Sequence, residues 1–359
     1  MPNTNEPREG RIRRVLAAGG ALAAVASAAA AIMPVQAAAA APEGDACVLQ
    51  ELPMPEDKYF SVVTGMSDDG SVVAYRAYPA GLETYERYPY LYEDGEVTEV
   101  PMPGEDQSLN AVNGDGVAVG HAWVDGVTLP YVFKDGVLTE LAANDGGSAS
   151  DINEDGDIAG VSGQEVLLPV VWRSGEVKPE ALPLPEGASS GSTRAIDDEG
   201  DIAGVVRYDD GRGAPYVWHA DGTGEELPLP DHVDPADVMA FGASDIEGEW
   251  VVGNLFTPEE DAAVRWNLED GTVEQLKLNY APSINEDGLV GGARDPEAAV
   301  VDADSDIVFL PGLVDPAQNW FGDMVSEVSD DGGLLAGQVF AGEDEGGNHI
   351  LKAVLWECG

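Results

Sequence analysis

The stretch Ile152–Gly160, INEDGDIAG, is a polar turn closing on Gly156 followed by a short apolar run that ends on a second glycine. The same device recurs, with Ala74 in place of the second glycine in the first copy, as MSDDGSVVA (66–74), VNGDGVAVG (112–120), IDDEGDIAG (196–204), DIEGEWVVG (245–253), INEDGLVGG (284–292) and VSDDGGLLAG (328–337). The turn glycines Gly70, Gly116, Gly156, Gly200, Gly248, Gly288 and Gly332 are spaced 40 to 48 residues apart. An acid followed by glycine supplies the positive φ of a tight hairpin, so each copy predicts a strand, a turn and a strand.

A second hairpin follows each first one: YLYEDGEVTEVPMP (90–103), YVFKDGVLTELAA (131–143), VVWRSGEVKPEALPLP (170–185), YVWHADGTGEELPLP (216–230) and VRWNLEDGTVEQLKL (264–278). An aromatic closes its first strand at Tyr92, Phe133, Trp172, Trp218 and Trp266, and again at Trp356. In the sixth copy the aromatic is missing, and Asp302 is read at its place. Four short strands per repeat, without helical periodicity, predict an all-β fold. The expected architecture is a seven-bladed β-propeller, four antiparallel strands (A to D) per blade. One such sheet cannot bury both its faces, whereas a closed ring of seven can. The aromatics are accordingly expected between blades.

The last copy stops early. AVLWECG (353–359) supplies strand C and half a turn, and strand D is missing. CVLQELPMP (47–55) aligns with the D strands of the first two repeats, which puts Cys47 at the place of Gly136 and Cys358 at the place of Asp94. The N-terminal strand therefore closes the last blade, and the chain's two cysteines meet where the other blades have a covalent turn. A Cys47–Cys358 disulfide is expected, which requires an oxidising compartment.

The N-terminus supports export. Residues 1–41 read as a signal peptide: basic REGRIRR, an Ala-rich apolar run, and small residues that allow cleavage near 37–41. Arg13–Arg14 leaves the Sec and twin-arginine routes both open. The Ala and Gly of this run make a poor membrane span. The expected product is a secreted, extracellular domain, 46–359.

The chain has a formal charge of −50. Such a surface repels nucleic acid and anionic lipid. It suits solubility in secretion, a basic or cationic partner, or high salt. No partnership with nucleic acid or membrane is expected, and the domain is read as a monomer.

The A–B and C–D turns are short and alike, whereas the B–C and D–A connections vary. In up-and-down blades both variable sets emerge on one face, and variation confined to one face of a repeat scaffold marks the binding face. Six of the eight arginines beyond the leader lie in or beside these loops. Candidate binding residues are Arg76, Tyr78, Arg87, Tyr88, Arg194, Arg207, Tyr208, Arg212, Arg294 and Trp320, with Tyr85 and Phe321 beside them. They fit a contact surface for an extracellular protein or glycan. Pairing of the arginines with nearby acids, to limit repulsion, explains them equally well.

Catalytic signatures are sparse. Asp151, Asn153 and Asp155 match the start of a calcium loop, but Ser162 stands where the bidentate Glu belongs, and the other six turns are read as lacking the first Asp. Calcium at this one site is the only cofactor candidate. The four histidines have no metal-ligand spacing. With 67 acids, a pair of glycosidase carboxylates is neither supported nor excluded. The leading expectation is a non-catalytic binding module; the alternative is an extracellular carbohydrate-active hydrolase or lyase using carboxylates at the same face.

LNAVNGDGVAVGHAW…YVFKDGVLTEL (109–141) and SDINEDGDIAGV…VVWRSG (150–175) resemble the HAF-type repeats of bacterial extracellular proteins, with PYVF, PYVW or AVLW in place of His-Ala-Phe. The resemblance covers nearly the whole exported chain. It implies a secreted repeat protein with a propeller-like fold and supplies no catalytic residues.

Overall fold

A computed structural model describes residues 47–55, 58–79, 86–344 and 346–359. The expected signal peptide and Tyr85 lie outside them. Seven four-stranded antiparallel sheets follow one another around a ring, making the chain a seven-bladed β-propeller. Blades one to six span 58–99, 105–140, 147–181, 188–226, 240–275 and 280–309.

Blade seven is assembled from both ends of the chain. Its strands A to C are Met324–Val328, Leu334–Glu343 and His349–Glu357, and strand D is Val48–Glu51. The register pairs Val48 with Glu357 and Leu49 with Trp356. Cys47 and Cys358 are disulfide-bonded, with Cα atoms 4.1 Å apart at a sequence separation of 311. The last and first blades are also joined directly: Ala353 N donates to Ser61 Oγ (2.9 Å) and Asp330 N to the Asp68 carbonyl (2.8 Å).

The register explains both glycines of the repeat. The turn glycines adopt positive φ, Gly156 at 83° for example. The second glycine answers a bulge. Every strand A carries an extra residue near its end, such as Ser150 between Ala149 and Asp151 or Arg194 between Thr193 and Ala195. The bulge drives the strand A backbone toward strand B. A Cβ on Gly160 or Gly204 would lie 2.3 or 2.1 Å from a strand A carbonyl oxygen, so only glycine fits there.

The aromatics pack between blades as expected. Trp172, Trp218, Trp266 and Trp356 are fully buried. Each donates its indole N–H to a carbonyl just past strand D of the preceding blade: Ala142, Pro183, Pro228 and Pro311. The sixth blade departs from the expected alignment. Val290 pairs with Val301, as Ile202 does with Trp218, so Val301 occupies the aromatic position and not Asp302. Asp302 belongs to the turn, where its Oδ1 accepts from Asp306 N (2.9 Å), and the turn's polarity had shifted the alignment by one residue.

Trp218→Phe removes one buried inter-blade hydrogen bond and some volume. It is expected to cost about 2–3 kcal/mol, read as a lower urea midpoint at unchanged slope.

Candidate functional site

On the face formed by the B–C and D–A loops, a cleft of about 970 Å³ opens between blades four and five. Its floor is apolar, with Val205, Leu227, Phe241 and Phe256 among the lining residues, and Met239 at the rim is 66% exposed. Three arginines line it: Arg194 from the strand A bulge of blade four, Arg207 from the end of its strand B, and Arg212 from the following loop. Glu226 is the one carboxylate among the lining residues. It pairs with Arg212 (Nη1 to Oε1, 2.5 Å) and accepts from the Tyr208 hydroxyl (2.8 Å). The Arg212 guanidinium lies 4.0 Å from the Tyr208 ring centroid. Glu226 is partly desolvated, but Arg212 and Tyr208 together hold its carboxyl below the usual range. Arg194 and Arg207 are exposed, with no ion pair among the described residues.

The other candidates share this face but not this cleft. Arg76, Tyr78 and Arg87 cluster at blades one and two: both guanidinium carbons lie within 6 Å of the Tyr78 ring, at 5.8 and 5.7 Å, and Arg87 pairs with Asp106. Tyr88 lies under Lys58 Nζ at 4.0 Å. Tyr78, Tyr88 and Tyr208 are half-buried beneath cations. Arg294 stands alone, donating to the Lys277 carbonyl (3.2 Å). Trp320 and Phe321, 61% and 45% exposed, form an aromatic group with Phe340 and His349 at blade seven. The expected single surface is four separate places around one rim.

The calcium candidates are committed elsewhere. Asp151 Oδ2 accepts from Ile196 N in the next blade (2.8 Å). Asn153 Oδ1 accepts from Asp157 N (2.9 Å), while its Nδ2 donates to the Asp197 carbonyl (2.8 Å). Asp155 is an exposed turn residue. Among the described residues no group of three or more His, Cys, Asp or Glu is arranged to hold a metal ion.

Convergent carboxylates do occur, at the opposite end of the axis. Where strand A nears the A–B turn, its inner position is Asp151 in blade three, Asp245 in blade five and Glu327 in blade seven. Asp245 had escaped the sequence comparison because the blade-five hairpin is shorter: Glu247 pairs directly with Trp250, against a five-residue link from Asn113 to Val117 in blade two. With Asp68, Glu247 and Asp330 these acids line a cavity of about 60 Å³. Water in so narrow a space solvates charge poorly. Burial, then mutual repulsion, pushes Asp68 up to about 8 and Glu247 up to about 10. Burial raises Asp151 and Asp245 to about 7 against opposing backbone hydrogen bonds, and lifts Glu327 well above the usual range. Stacking the repeats by strand register would have revealed this alternate-blade pattern; stacking them by glycine did not.

No protein-family model matches the chain, and no curated protein does. Solved structures do. An oligogalacturonate lyase of Vibrio parahaemolyticus is similar at 10% identity, over 89% of this chain and 98% of that one, with a TM-score of 0.54. TolB of Acinetobacter baumannii matches at 11% identity, over 80% of each chain, at 0.44. The β-propeller domain of the Trilobed protease of Pyrococcus furiosus matches at 15%, over 70% and 84%, at 0.45. At these identities what is shared is the fold: the chain is a β-propeller similar in architecture to proteins of differing activity.

Proposed function

We propose that this chain is an exported, non-catalytic binding module that engages an extracellular protein or glycan partner through the face of the B–C and D–A loops. The observation that carries this reading is the cleft between blades four and five: concave, apolar-floored, and lined by three arginines in a molecule of charge −50. Pockets of this size with a few placed polar groups are the usual form of a recognition site. Both thiols are used in closing the ring, and that bond suits an oxidising extracellular setting. The HAF-type resemblance points the same way, toward a secreted repeat protein. No helix among the described residues is long and apolar enough to cross a membrane.

The hydrolase or lyase alternative receives less support. Its convergent carboxylates lie at the far end of the axis, in a cavity with room for a few waters and no sugar ring. The test is a glycan array and capture of secreted proteins on the immobilised chain, each repeated with Arg207→Ala and Tyr208→Ala. A specific ligand should lose about tenfold in affinity in Arg207→Ala, as for one charged contact, and should also weaken in Tyr208→Ala, which removes the support that holds Arg212 and Glu226 in the cleft wall. Unchanged binding in both would refute the chosen face, and turnover of a captured glycan would replace this reading with the enzymatic one.

A further inference from the structure

The strand A bulge puts one side chain per blade at equivalent places around the axis: Thr64, Asn110, Ser150, Arg194, Ser244, Pro282 and Ser326. Six are small or of moderate size and uncharged. Blade four alone carries a cation there. Arg194 is exposed, without a carboxylate partner, and it opens into the cleft beside Arg207, also exposed and unpaired among the described residues. Acids outnumber Lys and Arg by 67 to 17 in this chain, so a guanidinium finds a carboxylate easily. Arg87, Arg173, Arg212 and Arg265 have all done so, whereas Arg76 and Arg294, at separate places on the rim, have no ion pair among the described residues. Two that have not, facing one concavity whose lining carries three arginines against one glutamate, leave a local net charge of +2.

We propose that the cleft takes a peptide segment bearing carboxylates next to apolar side chains, one carboxylate meeting Arg194 and another Arg207. This deepens the proposed function and rests on it. The lining favours peptide over glycan. Its lining includes Val205, Leu229, Val238, Met239, Phe241 and Phe256, and of its polar side chains beyond the arginines Glu226, Ser244 and Asn254 are already hydrogen-bonded, which leaves Tyr280. A planar guanidinium binds a carboxylate through two parallel N–H bonds, and Arg212, locked by Glu226 and Tyr208, forms a fixed wall and not a third contact. The −50 charge opposes an acidic ligand in the cleft only weakly, because at 0.15 M salt charges more than about 8 Å away are largely screened.

The test is panning of a displayed random dodecapeptide library on the disulfide-bonded protein, followed by fluorescence anisotropy of the enriched peptides. Enriched sequences should combine Asp or Glu with Leu, Met or Phe. Arg194→Gln and Arg207→Gln should each weaken binding about tenfold, and the double variant should abolish it, whereas Arg294→Gln, on the same face outside the cleft, should not. Both arginines are exposed, so an unchanged thermal midpoint is the folding control. Enrichment of neutral or basic peptides, indifference to both substitutions, or binding of oligogalacturonate in the cleft in place of peptides would overturn the proposal. If the captured partner still depends on Arg207 and Tyr208 while acidic peptides fail, the proposed face stands and only the peptide assignment falls.

Discussion

Raising the pH from 5.5 to 8.5 is expected to lower the melting midpoint by about 10 °C. The cause is the carboxylates around the channel. Asp68, Asp151, Asp197, Asp245 and Glu247 have folded-state values of about 8, 7, 7, 7 and 10, all above their values in an unfolded chain, and Glu327 is raised well above its own. Across this window the folded state therefore binds more protons than the unfolded one, and stability falls as pH rises. The contribution is fully present below about pH 4 and is lost through pH 7 to 8, with Glu247 extending the loss toward 10. The charged groups acting on Glu327 are Asp245, Asp151 and Asp68, and those acting on Glu247 are Asp68, Asp245, Asp197 and Asp330; all are acids, so no cation offsets the repulsion.

His219 adds in the same direction. Partial burial lowers its pKa, but Asp201 at 2.5 Å outweighs this and raises it, so that its contribution is also lost with rising pH. Surface acids such as Asp69, exposed, and Asp344, half-buried, are lowered by local hydrogen bonds and act only toward acid pH. One unit of pKa is worth about 1.4 kcal/mol, and water entering the channel weakens each shift, so on the order of 5 kcal/mol in total is expected. Differential scanning calorimetry across this range should show the slope. Glu327→Gln should raise the midpoint at pH 8.5 and flatten the profile, whereas Asp155→Asn on an exposed turn should leave the slope unchanged. A flat profile for the unsubstituted protein would show that these acids remain ionised and hydrated.

The fold was legible because its signals are local and repeated. An acid–glycine turn, an aromatic at the end of strand C and the displaced CVLQELPMP segment each mean the same thing in several copies, and the seven sheets and the closing strand follow from them. What could not be read depends on register. Asp302 was misplaced by one residue because a polar turn tolerates such a slip without an apolar residue to object, whereas the pairing of Val290 with Val301 does not. The alternate-blade acids were hidden because blade five shortens its turn, so that Asp245 falls out of line with Asp151 when glycines are aligned. The sequence reads the arginines onto one face, but which of them share a cleft depends on how far around the ring each blade sits, a distance that sequence spacing does not encode. Tyr208 exemplifies the remainder: it reads as a binding candidate in the sequence, but its ring lies under Arg212 and its hydroxyl is spent on Glu226.

Cys47→Ser with Cys358→Ser is expected to destabilise the protein by up to about 5–6 kcal/mol, the chain-entropy value for so long a loop, or roughly 10 °C in midpoint. The reason lies in what else holds the joint. Strand D of blade seven is four residues long, and three of them are exposed. Beyond its ladder, the segment is anchored by buried Leu52, whose N–H donates to the Ala353 carbonyl (2.9 Å), and by a loose Lys352–Glu51 pair at 3.8 Å. In the other blades a hairpin turn makes the C–D link covalent, and a strand D that frays finds its partner again at once. In blade seven only the disulfide does so. Hydrogen exchange in the double variant should therefore lose protection first along Val48–Glu51 and the paired edge Val354–Glu357, while blades two to five keep theirs until global unfolding. A circular permutant separates the covalent link from the sulfur chemistry. Carrying Cys358→Asp and Cys47→Gly, joined by a peptide bond and opened instead between Asp135 and Gly136, it should recover most of the stability without any disulfide, and the weak edge should move to strand Val137–Glu140 of blade two. Early loss of protection at Val48–Glu51 in that permutant would mean that the closing strand is intrinsically poor, and that covalent closure is not what holds the ring shut.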